Sequence, residues 1–232
     1  MSSLVQNIDA DLLTFGLKTR SIKVFDEPTN IDGFEAKSVA LVGHIGSLHW
    51  DHFEGWWSQD QNKDLEHPLD EWSKRIIHPI AKKYNGVAVF PSDEPYYPFQ
   101  NWALDSDNLS SSKINILINE DIGTWHGYRG ALAFDIVLDA QSTSIEASDL
   151  CATCIDKPCI SACPVNAFGS ESFLYSDCQS YLATQTGETT CMEHGCAARN
   201  ACPYGGEHKY KSPHMKFHMR AFRKLIVFSG SN

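Results

Sequence analysis

Residues 151–164 read CATCIDKPCISACP and carry four of the eight cysteines of this 232-residue chain. The other four lie within residues 178–202, and the last block, CMEHGCAARNACP at 191–203, again ends in Cys-Pro. The sequence has no cysteine before residue 151. An even number of thiols confined to one segment of a chain of this size indicates metal ligands rather than a disulfide framework.

The cysteine spacing favours two 4Fe–4S clusters. Each half supplies three thiols and a Cys-Pro pair, and in two-cluster ferredoxin segments the Cys-Pro thiolate crosses to the other cluster. Four residues separate Cys154 from Cys159, where the bacterial ferredoxin run has two. Two four-cysteine zinc sites, or unligated core thiols, remain as alternatives. The crossing rule predicts one ligand set of Cys151, Cys154, Cys159 and Cys202, and a second of Cys163, Cys178, Cys191 and Cys196.

Three motifs carry a resemblance to a known family. They are CxxC…CxxxCPxxAF from Cys151, CQSYL at 178–182 and ACPYG at 201–205. Together they resemble the iron–sulfur module of epoxyqueuosine reductases and reductive dehalogenases, over residues 151–206. The resemblance implies a ferredoxin-like C-terminal module, a nitroreductase-like N-terminal domain and a cobalamin beside the nearer cluster. The acidic DTAPVLDR-like motif of epoxyqueuosine reductases is missing from this sequence.

Charge and composition limit the classes of partner that the protein is expected to bind. The net charge of -10 argues against nucleic acid, because phosphate-binding surfaces need a positive balance. Asp9 and Asp11 stand where a signal peptide needs basic and then apolar residues. The sequence also has no run of about 18 apolar residues. We therefore expect a cytoplasmic protein without a membrane partner. The basic tail at 207–232 is either a solvated helix face or a docking surface for an acidic redox partner. Its basic residues are Lys209, Lys211, Lys216, Arg220, Arg223 and Lys224.

Periodicity predicts an α+β fold with a domain boundary near residue 145. We expect helices at 3–15 and 68–83 and strands at 21–25, 38–43, 86–90, 114–118 and 131–139. The long segment from Ser92 to Lys113 is expected to be a lid or binding loop. Residues 1–145 are thus predicted to form a mixed sheet with flanking helices, and residues 146–232 the cysteine module.

The N-terminal domain offers two candidate sites. In GTWHGYRGALAF at 123–134, Tyr128 with Arg129 and His126 could supply a proton donor and an anion clamp, and we assign them as catalytic candidates. Trp125 and three side chains of the aromatic loop, Tyr97, Phe99 and Trp102, are the candidates for binding a cofactor or substrate. A structural turn is the competing interpretation of the first segment.

The second candidate site is GHIGSLHWDHFEGWW at 43–57. Its histidines and tryptophans suit a metal site, a ring-lined pocket or ordinary core packing, and these interpretations stay open.

Two functions follow for the whole chain. It is a reductase that passes electrons from two clusters to a site in the N-terminal domain, or a ferredoxin-type carrier that exchanges electrons with a donor or acceptor protein.

Overall fold

The computed structural model describes residues 3–139, 149–169 and 172–229, with side chains as far as residue 224. The described residues form two compact units, each drawn from two segments of the chain. The first unit comprises Met1–Asn108 and His126–Glu146, and the second comprises Leu109–Trp125 and Ala147–Asn232. The sequence-based boundary near residue 145 assigns residues 109–125 to the first domain, whereas in the structure they pack within the second unit.

The first unit is built on an antiparallel four-stranded sheet in the order β1-β2-β6-β3. The strands are β1 at Lys18–Ile31, β2 at Phe34–Ile45, β3 at Val87–Val89 and β6 at His126–Phe134. Asp32 and Gly33 connect β1 to β2 and both have positive φ, as a tight hairpin turn requires. Strand β2 lies between β1 and β6, and every residue from Val39 to His44 is buried. The α+β class predicted from sequence is confirmed, whereas the predicted mixed sheet is wrong, because all three strand pairings of this sheet are antiparallel.

Four helices pack with this sheet. Helix α1 spans Leu4–Leu13, α2 Trp50–Trp57, α3 Pro68–Lys83 and α4 Phe99–Ser106. Helix α3 matches its predicted range, with Pro68 in the first turn and Pro79 inside. Helix α4 lies where a loop was predicted. It forms because Phe99, Trp102 and Ala103 share one apolar face, which is buried.

The second unit consists of short helices, one helix of 18 residues and a two-stranded ladder. The ladder pairs β4 at Ser110–Ser111 with β5 at Leu117–Ile118. The strand predicted over 114–118 is therefore reduced to two residues, because Ile114 packs into a small core with Cys163, Ala167 and Ala198. The helices are α5 at Leu150–Thr153, α6 at Pro158–Ser161, α7 at Tyr175–Leu182, α8 at Gln185–Thr189, α9 at Cys191–His194, α10 at Ala197–Asn200 and α11 at Ser212–Ser229, with a 3-10 turn at Gly206–His208.

Candidate metal centre

Six of the eight cysteines lie in or cap short helices of the second unit, and Cys163 and Cys202 lie just after α6 and α10. In the first half, Cys151 lies in α5, Cys154 caps that helix and Cys159 lies in α6. Lys157, just before α6, has a left-handed backbone with φ 39. This residue turns the chain within the longer gap between Cys154 and Cys159, so the extra residues leave the CxxC turn intact.

The second half follows the same pattern with wider gaps. Cys178 lies in α7, Cys191 begins α9 and Cys196 caps the start of α10. Gly195 separates α9 from α10 with φ 85 and ψ 172, a conformation open essentially to glycine alone. A Cβ at Gly195 would also lie 2.7 Å from the sulfur of Met215. This glycine therefore allows the sharp change of direction between Cys191 and Cys196.

The thiols fall into two groups of electrostatic neighbours. Burial, followed by the charges of Cys202, Cys151 and Cys154, raises the pKa of Cys159. Burial also raises the pKa of Cys202, and its neighbours are Cys151 and Cys154. These four residues coincide with the first predicted ligand set.

The second group is likewise made of four thiols. Burial and the nearby Cys196, Cys163 and Cys191 raise the pKa of Cys178 to about 12. Burial is also the main cause that raises the pKa of Cys196, with Cys191 and Cys163 as its charged neighbours. The grouping coincides with the second predicted set, while ligation itself stays a prediction. Four thiolates can ionise together at such a site only if a cation offsets their charge.

Sulfur spacing distinguishes between types of metal centre. In a tetrahedral zinc site with Zn–S bonds of about 2.3 Å, neighbouring sulfurs lie about 3.8 Å apart. Among the described residues, which include all eight cysteines, no three cysteine sulfurs lie within 4.8 Å of one another. A 4Fe–4S cluster binds each thiolate through a different iron, so it accepts a wider arrangement.

Backbone N–H groups surround several of the sulfurs. The N–H of Ala167 donates to the sulfur of Cys163 at 3.3 Å. The N–H groups of Ala198 and Arg199 hydrogen-bond to Cys196, and the N–H of Tyr204 to Cys202. These bonds lower the pKa of Cys196 and Cys202 against the larger opposing effect of burial. They favour the thiolate form that a metal needs.

The two sets differ in burial. Cys163 and Cys191 of the second set are buried and belong to two small apolar cores, one with Ile114 and one with Leu182 and Met192. All four thiols of the first set are partly exposed. The second set is therefore the better shielded from water, and the first is the more accessible to solvent.

Residues 122–125 lie directly against the turn that follows Cys202. A Cβ at Gly123 would lie 2.1 Å from the carbonyl oxygen of Tyr204, and one at Gly205 would lie 2.1 Å from the carbonyl carbon of Ile122. Both glycines have positive φ, 58 and 65. The close backbone approach holds the second Cys-Pro turn in place, and no local sequence pattern links these two distant segments.

The catalytic candidate Tyr128 is part of a buried polar group in the first unit. Its hydroxyl donates to Oδ2 of Asp107 at 2.7 Å, and Arg20 donates to the same oxygen at 2.9 Å. Burial, and then the charge of Asp107, raises the pKa of Tyr128 well above its usual range. Sequence analysis missed Asp107 and Arg20, because Arg20 is 87 residues from Asp107 and no local motif links them.

The other catalytic candidates, His126 and Arg129, also lie on β6. The strand predicted over 131–139 begins earlier, at His126, because residues 126–128 and Gly130 pair with residues 42–45 of β2. His126 is buried, and its ring centroid is 6.1 Å from that of Tyr128. Arg129 donates from Nε to the carbonyl of Tyr128 at 2.8 Å.

Two histidines of the second candidate segment are buried together. The ring centroids of His44 and His49 are 3.9 Å apart, and both residues are buried. Burial, aided by the charges of Arg129 and His52, lowers the pKa of His49 to about 3. Asp51 and His52 are exposed in the first turn of α2. The four polar residues of this segment therefore do not share one environment.

The aromatic candidates form two separate groups. Tyr97, Phe99 and Trp102 pack on one another in the first unit, where Phe99 and Trp102 are buried and the Tyr97 and Trp102 ring centroids are 5.8 Å apart. Trp125 is buried in the second unit, where its ring contacts Tyr210 with centroids 5.3 Å apart. These four side chains pack against protein neighbours rather than forming one cofactor-binding set.

The basic tail forms ion pairs within its own unit. Lys216 pairs with Glu193, and Arg223 pairs with Glu188. Two of the six basic charges of this segment are thereby matched by acidic neighbours, in keeping with the interpretation as a charged helix face.

No protein-family model and no curated protein matches the chain. No helix in the described part of the structure has the length and apolar character needed to cross a membrane.

Proposed function

We propose that the chain is a redox protein that binds two 4Fe–4S clusters. Cys151, Cys154, Cys159 and Cys202 bind one, and Cys163, Cys178, Cys191 and Cys196 bind the other. The division of eight thiols into two groups of four neighbours is the observation that carries this proposal. The motif resemblance in residues 151–206 supports a ferredoxin-like module and a relationship to the reductases that share it.

The clusters supply one-electron storage and transfer when bound. The chain contributes four roles of its own. Its short helices hold the thiols, and its backbone N–H groups stabilise the thiolates. Its two small cores keep water from Cys163 and Cys191. The partly exposed thiols of the first set face external partners. Hydrogen bonds to sulfur and exclusion of solvent are the properties by which proteins set reduction potentials.

Metal analysis after anaerobic purification tests the proposal. We expect about eight irons and eight acid-labile sulfides per chain, and a brown colour that bleaches on addition of dithionite. A colourless protein with stoichiometric zinc would contradict the proposal.

Two cysteine variants test the crossed ligand sets. Cys202→Ser is expected to damage the cluster bound by Cys151, Cys154 and Cys159, and Cys163→Ser the other. Electron paramagnetic resonance of each reduced variant shows which of the two cluster signals remains. If Cys202→Ser and Cys163→Ser lose the same cluster signal, the crossed assignment is wrong.

We further propose that the protein is a reductase whose first unit donates a proton. The observation in favour is Tyr128, whose hydroxyl donates to Oδ2 of Asp107 at 2.7 Å, the oxygen that also accepts from Arg20. A reductase must deliver protons together with electrons, and a hydrogen-bonded phenol is a side chain that can transfer one.

Reoxidation of the reduced protein separates reductase from carrier. The dithionite-reduced protein, freed of reductant, is mixed anaerobically with a protein-free cell extract or with the protein fraction alone. A reductase is reoxidised by small molecules, and Tyr128→Phe slows that reaction while the exposed control Tyr96→Phe does not. Reoxidation by the protein fraction alone, at equal rates in both variants, would favour the carrier.

The resemblance also raises cobalamin as a ligand of the first unit. The aromatic residues expected to bind it do not support this role, because Phe99 and Trp102 are buried against each other and Trp125 belongs to the second unit. Anaerobic titration with cobalamins is expected to leave their absorption spectra unchanged, and a saturable spectral shift would reverse this conclusion.

A further inference from the structure

Arg199 stands between the two sets of thiols along the chain. It lies in α10, three residues after Cys196 of the second set and three before Cys202 of the first. Its backbone N–H hydrogen-bonds to the sulfur of Cys196, and its carbonyl oxygen accepts from the N–H of Cys202 at 3.3 Å. The backbone of this one residue therefore connects directly to a proposed ligand of each cluster.

The guanidinium of Arg199 packs beside two aromatic rings that also contact each other. Its central carbon is 4.7 Å from the ring centroid of Trp125 and 4.4 Å from that of Tyr210. A nitrogen of the guanidinium donates to the carbonyl of Thr124. Tyr210 is in turn stacked on His214, with centroids 3.9 Å apart and planes 16° from parallel. The side chain is thus held in position by two rings and one carbonyl group.

This cation has no acidic partner in the described part of the chain. Arg199 takes part in none of the ion pairs among those residues, and its Nε is buried without a hydrogen-bond partner there. The aromatic faces offset part of the cost of desolvating the charge, by about 1–2 kcal/mol each. Arg199 is half-buried, and a cation shielded from water in this way is normally accompanied by an opposite charge, so an anion held nearby would stabilise it.

We propose that Arg199 is the counter-ion shared by the two clusters and that its charge raises both of their reduction potentials. The inference rests on the proposed binding of two clusters. Each cluster carries four thiolates, and one-electron reduction by dithionite adds one negative charge to it. A fixed cation nearby stabilises the reduced state more than the oxidised state, so reduction becomes more favourable.

The charge-removing variant Arg199→Gln is expected to make both clusters harder to reduce. We expect about a tenfold decrease in the equilibrium constant for reduction of each, as for a unit charge acting over roughly 10 Å at an effective dielectric constant of about 20. Arg199→Lys keeps the charge and is expected to retain most of the wild-type potential. Arg220→Gln removes an exposed charge from the neighbouring helix and serves as the matched control, with an unchanged potential.

Redox titration followed by electron paramagnetic resonance measures the potentials of all four proteins, with iron content determined in parallel. Lower potentials in Arg199→Gln than in Arg199→Lys and Arg220→Gln support the proposal. Loss of iron in Arg199→Gln but not in Arg199→Lys supports it too, because the charge is then needed to hold the clusters.

Three results would overturn the inference. They are equal potentials in all four proteins, a shift confined to one cluster, and loss of iron in both Arg199 variants, which would indicate a packing role for the arginine. A wild-type protein without iron would instead refute the proposed function itself, so the two failures are distinguishable.

Discussion

At the scale of single residues, the structure separates polar groups that the sequence makes look alike. Asp105 and Asp107 are two residues apart at the end of α4 and both pair with a basic residue of β1. The side chains of Arg20 and Asp107 are only 5% and 11% exposed, whereas those of Lys23 and Asp105 are 27% and 54% exposed. Burial therefore makes loss of the Arg20–Asp107 pair cost more stability than loss of the Lys23–Asp105 pair.

We expect Asp107→Asn to destabilise the protein by about 3 kcal/mol, because it leaves the buried Arg20 without an opposite charge. Asp105→Asn, the matched control, removes a solvent-screened pair and should cost less than about 1 kcal/mol. Urea unfolding of the whole chain measures both. Equal destabilisation by the two substitutions would show that burial does not govern this pair.

His49 makes stability depend on acid pH. Its pKa of about 3 lies below the ordinary value of 6.5, so the unfolded chain binds the proton more readily than the folded chain. The stabilisation is complete above about pH 6.5 and is lost as the pH falls toward about 3. At pH 5 the expected loss relative to pH 7 is about 2 kcal/mol.

Comparison of His49→Gln with wild type isolates this contribution. Urea unfolding at pH 7 and pH 5 should show a smaller loss in His49→Gln, whereas His67→Gln, at an exposed position, should behave as wild type. An unchanged pH dependence in His49→Gln would show that other groups cause the acid sensitivity.

At the scale of elements, the sequence predicted the regular segments better than the irregular ones. Helix α3 and the central strand β2 have strong apolar patterns and lie where expected. Residues 123–134 include three glycines that favour a turn, yet Gly127 and Gly130 lie in β6, where His44, Ile77 and Phe90 approach the strand closely. The same glycines that indicate a turn in sequence here permit close packing against a strand.

Sequence-based prediction of the candidate site is limited in the same way, because it detects local patterns but not contacts between distant residues. The cysteine groups could be predicted because ligand spacing is local and repetitive, whereas Arg20, Asp107 and Arg199 carry no local pattern. Their roles depend on contacts between residues distant in sequence, such as Arg199 with Thr124 and Trp125.

Gly123→Ala tests the contact between residues 122–125 and the second Cys-Pro turn. A methyl group would collide with the carbonyl of Tyr204, and φ 58 disfavours any residue with a side chain. We expect destabilisation of about 2 kcal/mol or more and a loss of iron. Thermal unfolding and iron analysis provide the two readouts.

Gly206→Ala is the control for this substitution, because a Cβ there meets no atom within 4 Å. It should leave both iron content and melting temperature close to those of wild type. If Gly123→Ala retains full iron and stability, the close approach is not needed for the cysteine module.

At the scale of the whole molecule, the two units depend on different sources of stability. The first has a sheet and a continuous set of buried apolar residues from β2 and β6. The second has mostly helices of four to eight residues, and its two small cores each include cysteines of the second ligand set. Short helices are marginal without tertiary support, so bound metal should contribute much of the second unit's stability.

We therefore expect removal of iron to loosen the second unit selectively. Hydrogen exchange read by mass spectrometry should show faster exchange over residues 150–205 after chelation, while β1, β2 and β6 remain protected. Re-addition of iron and sulfide under reducing conditions should restore protection. Uniform loss of protection across both units would contradict this division.

The route of the chain between the units also bears on biosynthesis. Residues 109–125 leave the ribosome before β6, which completes the sheet of the first unit, and well before the cysteines that they later support. The first unit can therefore finish folding only after part of the second has been made. The second unit in turn stays incomplete until Tyr204 and Gly205 emerge to meet Ile122 and Gly123. Metal loading is thus expected to be one of the last events in maturation.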